Sequence, residues 1–135
     1  MSSTSSTNEK TALLVMVHGS PRPESNRDMF RVVEGIRERR LFHFVTVGFM
    51  ELNGPSIPEA IEECVNSGAR KVIAVPYFLH AGTHVADDLP GLLEAAAQQF
   101  PQVTFLMGDY LGHDAHIADV VRDRALSVAA LSVAA

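Results

Sequence analysis

The sequence predicts an α/β fold: a single layer of four parallel strands in the order 2-1-3-4, with helices on both faces. Two observations carry this. Short apolar runs alternate with longer segments whose apolar residues recur every three or four positions, which reads as β-α-β-α-β-α-β-α. The first run, Ala12-Leu13-Leu14-Val15-Met16-Val17, is continuously apolar, as expected of a strand buried on both faces. Alternation of this kind implies parallel strands joined by right-handed helical crossovers.

Each element has its own signal. After the first strand, Met29, Val32, Val33 and Ile36 recur at helical steps within a segment from Glu24 to Arg40. "FHFVTVGFM" (42–50) is rich in β-branched and aromatic residues and reads as the second strand. "PSIPEAIEECVNSG" (55–68) reads as a helix with proline near its first turn and Gly68 as its stop. "KVIAVPYFL" (71–79) begins with the third strand, which Pro76 ends. Asp87 to Phe100 is the next helix, with Leu92, Leu93, Ala96 and Ala97 on one face and Pro101 closing it. "VTFLMG" (103–108) is the fourth strand, and a last helix runs from Asp114 towards the C-terminus. The set resembles a small flavodoxin-like sheet.

The chain has 135 residues and 47% hydrophobic content, enough for one core. We assign residues 12–135 to a single domain and the Ser/Thr-rich residues 1–11 to a disordered tail, which lacks the basic-then-apolar order of a signal peptide. No apolar run approaches the roughly 20 residues that span a bilayer. The net charge is −5 with acid and base interspersed, which argues against nucleic acid as a partner. The single cysteine, Cys64, excludes an internal disulfide and a CxxC zinc site and fits a reducing cytoplasm. The C-terminal "ALSVAALSVAA" is apolar enough to read as a subunit contact.

In an open parallel sheet, ligands bind beyond the carboxyl ends of the strands, where strand order reverses. His18, Gly19 and Ser20 follow the first strand and Glu51 follows the second. The third is followed by "PYFLHAGTHVADDLP" with His80 and His84, the fourth by Asp109, Tyr110 and His113. The order 2-1-3-4 makes strands one and three neighbours roughly 5 Å apart, so His18 and the loop of His84 face one cleft. His18 or Glu51 alone would read as an ordinary polar residue at a strand end. His80 and His84 together, in an apolar loop, are harder to read that way. His43 begins a strand, away from the carboxyl edge, and reads as structural or exposed. His113 and His116 fit a solvated helix start better than a metal pair. Asp87 and Asp88 read as helix caps that complement the dipole, in preference to metal ligands.

"VHGSPRPES", "FMELNGPSIPEAIEECVNSGARKVIAVPYFL", "AGTHVADDLP" and "GDYLGHDAHI" together resemble the small class II chelatases, the sirohydrochlorin cobaltochelatases and ferrochelatases. The resemblance implies a chelatase-like four-stranded fold, a homodimer, and insertion of a divalent metal into a sirohydrochlorin-type tetrapyrrole in cobalamin or sirohaem biosynthesis. It carries metal-binding roles onto His18 and His84 and an active-site glutamate onto Glu51. It carries the substrate-lining loop onto Leu79, His80, Ala81, Gly82, Thr83 and His84. His80 stands where many relatives have an apolar residue.

The residue chemistry agrees. Two imidazoles suit Co²⁺, Fe²⁺ or Ni²⁺ and leave positions open for macrocycle nitrogens. The metal is then a substrate, and no organic cofactor is expected. Two pyrrole protons must leave, and a neutral histidine or Glu51 is the acceptor. Backbone N–H groups of 79–84, Ser20, Arg22 and Arg27 are candidate donors to the substrate carboxylates. Two rival readings stand beside this one. "GSPRPESN" also resembles the phosphate loop of flavodoxin-like flavin-binding oxidoreductases, which leaves the histidines unexplained. The same histidines also fit a non-catalytic cobalt or nickel carrier.

Overall fold

The computed structural model describes residues 10–134, with side chains described as far as Ala129. Four parallel strands form one sheet: β1 (Thr11–Val17), β2 (Phe44–Phe49), β3 (Lys71–Pro76) and β4 (Thr104–Met107), in the order β2-β1-β3-β4. The predicted order and parallel sense are both observed. Val15 pairs with Val47 on one side and Val75 on the other, so β1 lies at the centre.

The central position explains the apolar run. Ala12 to Met16 are all buried, and successive side chains point to opposite faces. Leu13 and Val15 join Val45, Val47 and Phe49 beneath Met29 and Val33 of α1 (Pro23–Glu38). Ala12, Leu14 and Met16 join Val72 and Ala74 on the other face. There they pack against Ile57, Ala60, Ile61 and Cys64 of α2 (Ile57–Asn66) and against Leu89, Leu93 and Ala96 of α3 (Leu89–Gln99). Helices therefore cover both faces.

The element boundaries differ modestly from the sequence reading. Residue 11, assigned to a tail, is the first residue of β1. The Lys10 carbonyl already accepts from the backbone N–H groups of Arg70 and Lys71. The rest of the expected tail, residues 1–9, lies outside the described residues. Helix α2 starts at Ile57 because Ser56 caps it. Its hydroxyl accepts from the Glu59 N–H, and the Glu59 carboxylate accepts from the Ser56 N–H. Gly68 stops the helix as expected, with φ +92°. The segment expected to begin a helix at Asp87 already turns at His84, in a wide π-type turn, His84–Asp88, that runs into α3.

The last helix, α4 (Ala115–Ala134), stands apart. None of its described side chains is buried, and Val120, Val121, Leu126 and Val128 are exposed. On the α1 face of the sheet an apolar cleft of about 350 Å³ stays open, lined in part by Val32, Ile36, Val75, Tyr77 and Leu111. Among the described residues, no helix is long and apolar enough to cross a membrane.

Candidate functional site

All four strands run the same way, so their carboxyl ends share one edge. His18 follows β1 there, Glu51 follows β2, and the segment from Tyr77 to Thr83 follows β3. The first two loops are stitched together. The Met50 N–H donates to the Val17 carbonyl at 2.8 Å, extending the β1–β2 ladder by a step, and the Glu51 N–H donates to the His18 carbonyl at 3.1 Å. The chain then turns through Leu52, at φ +70°, and the Asn53 N–H returns to the Glu51 carbonyl at 2.8 Å. A non-glycine residue in that region is strained and persists only where its surroundings impose it. Here they do: the Asn53 side-chain carbonyl accepts from the Ser20 N–H at 2.9 Å. Gly19 lies between the two loops at φ +103°, and a Cβ there would collide with the Glu51 carbonyl.

This scaffold sets His18 beside Glu51, with Nε2 of the ring 3.1 Å from Oε1. The His18 and His84 ring centroids are 5.3 Å apart, with planes inclined at 40°. Nδ1 of His84 lies 2.7 Å from Oδ2 of Asp88. All four side chains are about half exposed, at 47–57% of their area. The predicted trio of His18, Glu51 and His84 therefore meets on one open rim. Among the described residues, no group of three or more His, Cys, Asp or Glu side chains closes into a metal cage. The chemistry available is ligation by two imidazoles on an accessible surface, with carboxylates behind them.

The other sequence candidates fall into place around the rim. Leu79, His80, Ala81, Gly82 and Thr83 are all exposed along its β3 side. The Ser20 hydroxyl accepts from the Arg22 N–H at 3.1 Å, and the Ser20 carbonyl accepts from the Asn26 amide at 3.0 Å. Its loop is therefore closed on itself as well as tied to Asn53. His43 lies at the opposite end of the sheet, exposed, with its Nε2 2.7 Å from the Ser67 carbonyl. His116 is engaged by Asp114, whose carboxyl is held below its ordinary value chiefly by the His116 backbone N–H.

One expectation needs correction. Asp88 occupies the N-cap position of α3 but makes no side-chain cap bond there; its carboxylate is turned onto His84 instead. The signal was present in the sequence, since the two residues are four apart on one turn. Asn53 was not singled out, and no local signal marks it, because its partner lies 33 residues earlier. A larger open cavity of about 610 Å³, lined in part by Arg37, Thr46 and Glu63, lies along the outer edge of β2, away from this rim. There the Thr46 hydroxyl donates to Glu63, and Arg37 donates to the Val45 carbonyl.

Residues 12–128 match the family model for CbiX. The chain belongs to the CbiX family. Among CbiX-related proteins, it is 33% identical to the sirohydrochlorin cobaltochelatase of Methanococcus aeolicus over 84% of this chain and 96% of that one. It is 37% identical to the chloroplastic sirohydrochlorin ferrochelatase of Arabidopsis thaliana, over 83% of this chain but only 50% of the relative. Its fold matches the cobalt complex of the sirohydrochlorin chelatase SirB from Bacillus subtilis subspecies spizizenii. That match has a TM-score of 0.83 and 27% identity, over 88% of this chain and 51% of SirB. This CbiX-family chain thus spans about half the length of some relatives and nearly all of another. The resemblance read from the motifs holds at the level of family and fold.

Proposed function

We propose that this chain inserts a divalent metal, cobalt or ferrous iron, into sirohydrochlorin. The observation that carries the reading is the pair of imidazoles, His18 and His84, 5.3 Å apart on an open rim. Two ligands hold a divalent ion yet leave positions for macrocycle nitrogens, so the metal can be handed over. Family membership and relatives named for cobalt and for iron chelation support the same conclusion.

In this reading His18 and His84 ligate the incoming metal. Nδ1 of His84 faces a carboxylate, an acceptor only, so it carries the proton and Nε2 is the nitrogen left to ligate. The two pyrrole N–H protons leave by way of Glu51. Its contact with His18 and its half-exposed side chain join the site to solvent. The exposed loop of Leu79 to Thr83 lines the macrocycle, and its backbone N–H groups, with that of Gly19, serve the peripheral carboxylates.

The active form is a homodimer. The exposed apolar side chains of α4, Val120, Val121, Leu126 and Val128, and the open cleft on the α1 face of the sheet support this, since apolar surface left open on one chain is what a subunit contact would bury. Light scattering at micromolar concentration is expected to give twice the chain mass, and a monomer would overturn this part. A cytoplasmic setting is supported by the lone, buried Cys64.

The test of the activity is anaerobic incubation with sirohydrochlorin and Co²⁺ or Fe²⁺, followed by absorbance. Insertion is expected to exceed the metal-only control, and His84→Ala is expected to fall to that control with an unchanged circular dichroism spectrum. A wild-type rate equal to the control would end the chelatase reading. Full activity in His84→Ala would end the site assignment.

A further inference from the structure

We infer that Asp88 is a positioning residue, which fixes the tautomer and orientation of His84 so that its Nε2 is presented to metal. This rests on the reading of His84 as a ligand and adds a residue to it.

The local fold explains why Asp88 is free for this task. The turn His84–Asp88 is π-type: the Leu89 N–H donates to the His84 carbonyl, five residues back. Single π turns of this kind recur at functional sites. Val85 and Leu89 are buried, at 8% and 0% exposure, and anchor the turn in the core. His84 and Asp88 are left on its solvent side, each about half exposed. Asp88 itself has helical backbone angles, φ −72° and ψ −46°, because the helical run has already begun at His84. Its carboxylate therefore makes no cap bond and lies 2.7 Å from Nδ1 of His84.

A carboxylate at that distance only accepts, so it selects the imidazole tautomer with the proton on Nδ1. An isolated neutral imidazole has two tautomers and a freely turning ring. A metal must then select one arrangement on binding. Ligating histidines commonly donate their second N–H to such a carboxylate, which orients the ring and raises its basicity; losing the partner costs about 10- to 100-fold in metal affinity or activity. The partner ring is backed in a similar way, with Glu51 at 3.1 Å from His18. The rim thus holds two imidazoles, each with a carboxylate on one nitrogen. They differ in reach: Glu51 stands on the neighbouring strand's loop, whereas Asp88 shares a turn with its histidine and moves with it.

Two measurements on the full-length chain test this. Co²⁺ affinity is measured by calorimetry without tetrapyrrole, and the His84 tautomer by ¹⁵N NMR of the metal-free protein. Asp88→Ala is expected to weaken Co²⁺ binding by about 10- to 100-fold and to lose the Nδ1–H preference. Asp88→Asn keeps a carbonyl acceptor at the same place and is expected to restore the tautomer and most of the affinity. A general structural role predicts neither the tautomer change nor the rescue. Wild-type affinity and tautomer in Asp88→Ala would overturn the proposal, as would Asp88→Asn behaving no better than Asp88→Ala. His84→Ala separates the two levels of the argument. If it binds Co²⁺ like wild type, the ligand reading fails. If it loses binding while Asp88→Ala does not, only the positioning role fails.

Discussion

Gly19→Ala is the substitution that most directly tests how the rim is built. Gly19 has φ +103°, and an added Cβ would run into the Glu51 carbonyl and lie 3.3 Å from Oδ1 of Asn53. The first obstacle is backbone and cannot swing aside like a side-chain tip. Holding an alanine in that conformation costs about 1–3 kcal/mol, and overpacking adds typically 1–3 kcal/mol. The loop can relieve the clash only by moving Glu51, which breaks the Glu51 N–H bond to His18 and the Ser20–Asn53 bond. We take about 3 kcal/mol as the net loss, since partial movement exchanges strain for hydrogen bonds. At roughly 3 °C per kcal/mol for a chain of this size, Tm falls by about 10 °C. Urea denaturation reads the stability, and Co²⁺ calorimetry reads the site. Co²⁺ binding is expected to weaken in the fraction that remains folded, because Glu51 and His18 no longer meet. A Gly19→Ala protein within about 0.5 kcal/mol of wild type, the range of an ordinary surface change, would refute the argument that the Glu51 loop closes on this glycine.

Two further outcomes follow from groups away from the rim. The two hydrogen bonds from Ser56, the backbone N–H first and the hydroxyl second, hold the Glu59 carboxyl below its ordinary 4.5. A carboxyl depressed on folding adds stability that is fully present above its unfolded value and is lost as pH falls through the folded one. The stability gap between wild type and Glu59→Gln should therefore be constant from pH 7 to pH 5 and shrink at lower pH; a gap unchanged at pH 3 contradicts the capping box. Burial pushes the Cys64 thiol up to about 12, with the Glu63 charge adding to it. A thiol-specific disulfide reagent at pH 8 should leave the native protein unlabelled and label one thiol per chain in denaturant. Labelling of the native protein at the rate of a free cysteine would show that α2 does not seal its face of the core.

Much of the candidate site was legible in the sequence because two of its three proposed residues, His18 and Glu51, stand just past strand ends. Once the first apolar run is read as the central strand, parallel pairing carries His18 and the loop after β3 to one edge. Glu51 follows from the same logic. The family motifs then singled out the polar residues at that edge that we propose as the site, a choice that periodicity alone leaves open. Asp88 was misread because propensity describes what a carboxylate does at an average helix start. Here the helical run has already begun at His84, so Asp88 lies inside it and its carboxylate meets a histidine at 2.7 Å in place of free first-turn N–H groups.

By itself the sequence determined the α/β alternation, the strand order, the covering of both faces and the family. The alternation and the covering of both faces follow from apolar period and strand-to-helix spacing, the family from local motifs, and the strand order from likeness to a small flavodoxin-like sheet. Tertiary structure decided what depends on distance between remote segments. It set the clamp from Ser20 to Asn53 that holds Glu51 against His18, the 5.3 Å separation of the two rings, and the turning of Asp88 onto His84. It also left α4 without a buried side chain among the described residues. The physical reason is that a residue's neighbours along the chain set its secondary structure, whereas the direction of a polar side chain is set by whichever partner the fold brings within hydrogen-bonding reach.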